Sequence, residues 1–280
     1  MQRVLSTYLF KPHKLGTTTL AEIHGGGFGA VEIFCARRHF DYRAPEAVRE
    51  LAEWFRGHAL KLHSLHSPTS RDLGPARESG VPMSISDPER VRRLDAVAEV
   101  KRALEVAESI PFRFLVQHIG ASREALDPRR TDAAFSSLEH LVMFAKQRGV
   151  TIALENTPGE LASPASLRHF IADTHLRDLR ICFDTGHAHI EDGVGASWEA
   201  VRDLVVTTHL HDNHGEKDEH LLPFEGTIDW NAALLAMSTA PAATGGLPCV
   251  LELRANEAHR PGVAEAAAVL EKFEQARAAV

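Results

Sequence analysis

Residues 150–189, VTIALENTPGELASPASLRHFIADTHLRDLRICFDTGHAH, read as a strand, a helix and a second strand. Two short apolar runs, 150–155 and 179–184, close on carboxylates, Glu155 and Asp184. Between them Ser163-Pro164 sets a capping hydroxyl before a proline at the first helical position, and an amphipathic stretch runs on to 175. The same arrangement recurs outward along the chain. Apolar runs near 60–66, 112–118, 205–211 and 248–253 end at His66, His118, His211 and Glu252. Metal-type ligands at strand exits meet in space only when the strands lie parallel and share one end. That is the geometry of a (β/α)₈ barrel, whose active sites are built at the C-terminal face of the strands.

Two further runs, 3–9 and 29–35, complete a set of eight strands. Helical patterns at 17–24, 45–57, 88–109, 131–148, 164–175, 197–204, 229–238 and 262–277 fill most of the gaps. Strict alternation predicts an α/β protein made of one TIM barrel over residues 1–280. An open doubly wound sheet is the alternative, but no glycine-rich phosphate loop follows the first strand. Gly25-Gly26-Gly27 precedes the second strand instead, where it turns a helix back into the sheet. Asp87-Pro88 is a second capping pair, and Gly149 is a helix stop. The segment Ser67–Ser86, rich in Gly, Pro and Ser, follows the His66 strand and is expected to cover the site as a lid or substrate loop.

Composition narrows the function. With 44% hydrophobic and 25% charged residues the chain reads as an ordinary soluble protein, and a net charge of −7 argues against a dedicated nucleic-acid binder. Cys35, Cys182 and Cys249 sit inside apolar runs, which fits buried thiols in a reducing compartment better than a disulfide framework. No apolar run reaches membrane-spanning length, and the N-terminal MQRVLSTYLFKPHK lacks the apolar core of a signal peptide. A cytoplasmic protein without a membrane partner is expected.

Glu155, Asp184, His211 and Glu252 offer three carboxylates and one imidazole, a hard set suited to Mn²⁺, Mg²⁺ or Co²⁺, with Zn²⁺ also fitting. A lone acid at a strand end is usually structural. Several at one barrel mouth would repel one another unless a cation sat between them. His66 and His118 fall at the same level. His63 has the opposite strand parity to His66 and is expected to face the helix layer as a structural residue. His209 lies one pleat below His211 and is expected to be a packed core histidine. Asp218 and His220, in the charged run after the seventh strand, could complete a site with His187; the plainer reading of that run is a solvated loop.

The stretches ALENT (153–157), CFDTGHAH (182–189), HLHDN (209–213) and KDEHLLPFEGTIDW (217–230) make the chain resemble the xylose isomerase-like TIM barrels. That superfamily also contains the family-2 apurinic endonucleases of the endonuclease IV type. The resemblance runs from the GFGAVEIF second strand to the LELR eighth. It implies the single-metal site of sugar isomerases and epimerases at Glu155, Asp184, His211 and Glu252. Glu155 and Glu252 would then be the catalytic proton carriers, with His187, Lys217 and Arg254 as substrate contacts. The endonuclease-type members imply up to three zinc ions: His66 and His118 with Glu155, then Asp184, His211 and Glu252 with Glu155, then His187, Asp218 and His220.

Two chemistries follow, proton transfer next to a sugar carbonyl or metal-assisted phosphodiester hydrolysis. The loop after the second strand carries Arg37, Arg38, His39, Phe40, Tyr42 and Arg43, which could grip a duplex. Against this, residues 67–86 contain no aromatic residue, and the HDN and EGTIDW phrases resemble the sugar phosphate isomerase/epimerase branch. The expected partner is a sugar or sugar phosphate, with nucleic acid entering only under the hydrolase alternative. The resemblance leaves a homo-oligomer open. A metal-containing barrel that binds a ligand without turnover is a further class, and no ligand position is lost in its favour.

Overall fold

The computed structural model describes residues 2–71, 81–238, 246–255 and 260–278. Eight parallel strands form a nearly closed barrel: β1 Gln2–Ser6, β2 Ala30–Phe34, β3 Lys61–His66, β4 Phe114–Gln117, β5 Thr151–Glu155, β6 Arg180–Asp184, β7 Val205–His209 and β8 Pro248–Leu251. The hydrogen-bonded order runs β8, β1, β2 and onward to β7. At the seam the Leu210 N–H donates to the Val250 carbonyl at 2.8 Å and the Glu252 N–H to the Leu210 carbonyl at 3.3 Å. The expected (β/α)₈ architecture is therefore present. Around it lie α1 Thr17–Gly25, α2 Pro45–Gly57, α3 Arg90–Glu105, α4 Pro128–Lys146, α5 Pro164–Thr174, α6 Thr185–Ile190, α7 Val194–Val201, α8 Trp230–Ser238 and α9 Val263–Ala278.

Strand alternation explains where the site sits. Outward residues such as Val31, Ile33, Leu65, Leu115, Ile152, Leu154, Ile181 and Phe183 join the core beneath the helices. Inward residues on the lower level are small and apolar: Val4, Ala30 and Val250 form one cluster, and Val116, Ala153 and Cys182 another. Two residues further along the same strands, with the same parity, come Ser6, Glu32, Glu252, His118, Glu155 and Asp184. A barrel interior that is apolar below and polar above places the chemistry at the C-terminal rim.

Helix ends follow local signals. Ser163 caps α5 as expected, accepting the Ser166 N–H at 3.2 Å. Gly27 at φ +86° and Gly149 at φ +69° end α1 and α4 in the left-handed region that glycine tolerates. Asp127-Pro128 begins α4 before the expected residue 131, with the Asp127 carboxylate accepting the Arg129 N–H at 2.8 Å. At α3 the cap is Glu89 rather than Asp87, whose carboxylate accepts the Glu89 N–H two residues earlier. Of the expected lid, Ser70–Arg71 pairs antiparallel with Val81–Pro82; residues 72–80 lie outside the described residues. Cys35, Cys182 and Cys249 are buried and outside any disulfide. Among the described residues no helix is long and apolar enough to cross a membrane.

His63 departs from the parity expectation. Val31 pairs with Leu62 but Glu32 pairs with Ser64, so β3 carries one extra residue, a β-bulge at His63. Its ring turns into the barrel, where Nε2 lies 3.0 Å from Thr207 Oγ1 on β7, the strand diametrically opposite. Burial lowers the His63 pKa to about 4. The unfolded imidazole titrates near 6.5, so below that pH the unfolded chain takes up a proton the folded chain refuses. The resulting stability is fully present above pH 6.5 and lost as pH falls towards 4, about 3 kcal/mol in total. Urea unfolding of wild type and His63→Gln between pH 7 and 4.5 checks this. The wild type should lose more stability on acidification, and parallel pH profiles would refute the assignment.

Candidate metal centre

Glu155, at the end of β5, is the hub of the rim. Its Oε2 lies 3.0 Å from His118 Nε2 and 3.3 Å from His66 Nε2. Its Oε1 lies 3.2 Å from His209 Nδ1 and 3.5 Å from His187 Nδ1. The His209 Nδ1 atom also stands 3.5 Å from Glu252 Oε2 and 3.8 Å from Asp184 Oδ2. The ligand atoms fall into three groups, each spanning no more than 4.8 Å: His66, His118 and Glu155; Glu155, Asp184, His209 and Glu252; His211, Asp218 and His220. The expected carboxylates thus converge, as do His66 and His118.

The histidines of the seventh strand are exchanged relative to expectation. His209, expected to be a packed core residue, closes the central group. His211 reaches sideways, with Nε2 3.1 Å from Asp184 Oδ2 and 3.8 Å from Asp218 Oδ1, and its ring stacks on His220 at 4.1 Å between centroids. Asp184 pairs in register with His209 rather than His211, so the deeper histidine meets the carboxylates. His187 borders both groups, its Nδ1 3.5 Å from Asp184 Oδ1 and its Nε2 3.6 Å from Asp218 Oδ2.

Orphaned atoms test whether a cation fits. Glu155 Oε1, His209 Nδ1, His211 Nδ1 and Asp218 Oδ1 are buried yet hydrogen-bonded to nothing. Such groups are costly unless something else satisfies them, and here Glu155 Oε1 and His209 Nδ1 face each other at 3.2 Å while Asp218 Oδ1 faces His211 Nε2 at 3.8 Å. The other ring nitrogens are tied down. His66 Nδ1 lies 2.8 Å from the Ser67 carbonyl, His187 Nδ1 2.9 Å from the Asn156 carbonyl, and His220 Nδ1 2.9 Å from the Glu252 carbonyl. Each leaves Nε2 for the cluster, the arrangement by which backbone carbonyls orient metal-binding imidazoles. The residues fit a divalent cation.

Electrostatics agree. Burial alone would raise the Glu155 carboxyl, but the imidazoles of His209 and His118 outweigh it and hold it well below the ordinary range. Burial would lower His209, yet the surrounding carboxylates of Glu252, Glu32 and Glu155 outweigh it and hold the ring well above its ordinary value. A field that draws a proton onto an imidazole draws a divalent cation more strongly.

The local sequence holds this geometry. Asp184 also caps α6, accepting the His187 N–H at 2.7 Å, which fixes both residues of the DTGH turn. A Cβ at Gly186 would overlap the His211 ring, so only glycine lets the imidazole close down on α6. Asp212 anchors the loop that carries Asp218 and His220. It accepts the N–H groups of Asn213, Phe224 and Ile228, and Trp230 Nε1–H at 2.7 Å. The EGTIDW phrase is thus a clasp for the loop. His220 sits at φ +52°, a left-handed conformation imposed at the site.

Of the expected substrate contacts, His187 lines the cavity beside the ligand groups, whereas Lys217 and Arg254 stand outside those groups. Lys217 is exposed and outside the cavity lining. Arg254, also exposed, stands at the rim with its guanidinium 3.3 Å from the Tyr8 hydroxyl and 3.8 Å from Asp218 Oδ2. The loop after β2 does not offer a wedge: Phe40, Tyr42 and His39 are buried, with His39 bound to Thr7 and Tyr42 to Glu99. Over the ligand groups opens a cavity of 230 Å³, lined also by Tyr8, Lys11, Phe34, Thr69, Met83 and Gln117. A larger cleft of 460 Å³ lies at the opposite end of the barrel, between Gln2, Arg113, Thr151 and Pro248, away from every ligand group.

Comparison with known proteins bears on the whole chain. A family profile described as xylose isomerase-like TIM barrel matches residues 20–273. The uncharacterized protein MJ1311 of Methanocaldococcus jannaschii is 32% identical over 236 residues, covering 81% of this chain and 75% of its own. The crystal structure of a D-tagatose 3-epimerase-like protein superposes with a TM-score of 0.79 at 24% identity, over 100% of this chain and 98% of that one. The structure of the IOLI protein with a bound zinc atom superposes at 0.74 and 16% identity, over 98% and 96%. The chain belongs to the xylose isomerase-like TIM barrel family.

Proposed function

We propose that this protein is a divalent-metal-dependent isomerase or epimerase of a sugar or sugar phosphate. The observation that carries the reading is the convergence of Glu155, Asp184, His209 and Glu252 within 4.8 Å beneath a cavity of 230 Å³. That volume is below the roughly 300–1,000 Å³ of drug-sized sites and suits a monosaccharide. The likeness to an epimerase-like structure supports the reaction class, and the likeness to a zinc-containing one supports the cofactor. Three buried thiols outside any disulfide support a reducing, cytoplasmic setting.

Those four residues would hold the ion, which supplies positive charge beside the substrate carbonyl and so stabilises the enediolate. The carboxylates do the proton work. One removes a proton from the carbon next to the carbonyl, and the electron pair passes to the carbonyl oxygen. The other returns a proton: to the opposite face of the same carbon in an epimerase, or to the former carbonyl carbon in an isomerase. Glu155 is engaged by imidazoles on both oxygens, whereas among the described residues Glu252 forms ion pairs with His209 and His220 through Oε2.

A second reading, a multinuclear zinc phosphodiesterase, is favoured by the two ligand groups that flank the central one. Buried Phe40 and Tyr42 weigh against a duplex as its substrate. Metal analysis of the purified protein separates the readings. About one tightly held ion per chain, with deuterium uptake from D₂O into a ketose or ketose phosphate, is the expected result. Three zinc ions with phosphodiester cleavage would move the assignment to the hydrolase, and no bound ion would overturn both.

A further inference from the structure

We infer that Glu32 is a positioning residue which, clamped by Ser64, holds His209 so that Nδ1 faces the three carboxylates. The inference rests on the metal-dependent reading above. Glu32 lies on β2, fully buried, with the inward parity of Ala30. Its oxygens stand 3.1 and 3.2 Å from His209 Nε2, on the far side of the ring from the ligand group. The Ser64 hydroxyl donates to Glu32 Oε2 at 2.8 Å. On the near side Nδ1 lies 3.2 Å from Glu155, 3.5 Å from Glu252 and 3.8 Å from Asp184, and hydrogen-bonds with none of them.

An imidazole that donates Nε2–H to a carboxylate presents the lone pair of Nδ1, and such partners fix the tautomer and tilt of metal-binding rings. A fully buried carboxylate is otherwise expensive, and an apolar residue would be the ordinary choice at a buried strand position. The β3 bulge completes the device. The extra residue at His63 brings Ser64, not His63, opposite Glu32, so the clamp depends on the irregularity. The chain of contacts runs from β3 through β2 across the barrel to β7 and ends at the proposed ion.

The test is zinc affinity, measured by competition with a chromogenic chelator on metal-stripped protein. Wild type, Glu32→Ala, Glu32→Gln and Ser64→Ala are compared, each checked by circular dichroism and thermal unfolding. Glu32→Ala should weaken zinc binding about 10–100-fold. Glu32→Gln should lose less, because its amide oxygen still accepts Nε2–H, and Ser64→Ala least. In the zinc-loaded protein the His209 Nε2–H should give a protected downfield proton resonance, shifted in Glu32→Gln and absent in Glu32→Ala. A merely structural role would lower the unfolding temperature without moving the affinity, and that result overturns the inference while the functional proposal stands. If Glu32→Ala does not fold, unchanged affinity in both Glu32→Gln and Ser64→Ala overturns it. Failure of the wild type to take up zinc overturns the inference together with the metal-dependent reading.

Discussion

Glu252→Gln is expected to abolish turnover while leaving the barrel folded. The side chain leaves the end of β8 almost fully buried, and its Oε2 stands 3.5 Å from His209 Nδ1 and 3.6 Å from His220 Nδ1. Glutamine keeps the volume, so packing is preserved. It cannot carry a proton, and general acid–base groups contribute about 10²–10⁴-fold. It also removes a negative charge from the group that would hold the ion, so metal affinity should fall as well. Deuterium exchange from solvent into the substrate, followed by NMR beside a thermal melt, reads both effects. Exchange at the wild-type rate would remove Glu252 from the mechanism.

The two histidines of β7 and its exit give the second large expectation. His209→Ala should lose the tightly held ion, and His211→Ala should keep it. In His209→Ala, Glu32 is left as a buried carboxylate without its imidazole, a change that costs about 3–5 kcal/mol. For a chain of this size that is a fall in Tm of about 5–9 °C. Metal analysis and calorimetry on both variants settle the matter. Retention of the ion by His209→Ala and its loss from His211→Ala would restore the expectation drawn from the sequence and displace His209 from the centre.

That exchange marks how far the residues could be read without the fold. Both histidines have the same parity, so both point inward, and alternation says nothing about depth. What separates them is the level at which Glu155, Asp184 and Glu252 enter the barrel, which depends on how eight strands are staggered around the axis. The apolar run reads through to His211, but the strand ends at His209, as β5 and β6 end at Glu155 and Asp184, and His211 lies two residues beyond. His63 failed for a different reason. Period-two reasoning assumes an unbroken ladder, and the bulge between Leu62 and Ser64 breaks it. The aromatic residues after β2 looked available because charged neighbours surround them, yet Phe40 and Tyr42 pack into the core.

By itself the chain determined the eight strands, the helices between them except the short α6, and the acids and imidazoles at the strand exits, because periodicity and capping act over a few residues. Only the tertiary structure decided which imidazole meets which carboxylate, and that Glu32 stands behind His209. Those contacts join residues up to 177 positions apart across the barrel interior. Their distances are set by barrel stagger and by one bulge, neither of which has a local signature strong enough to read in the sequence.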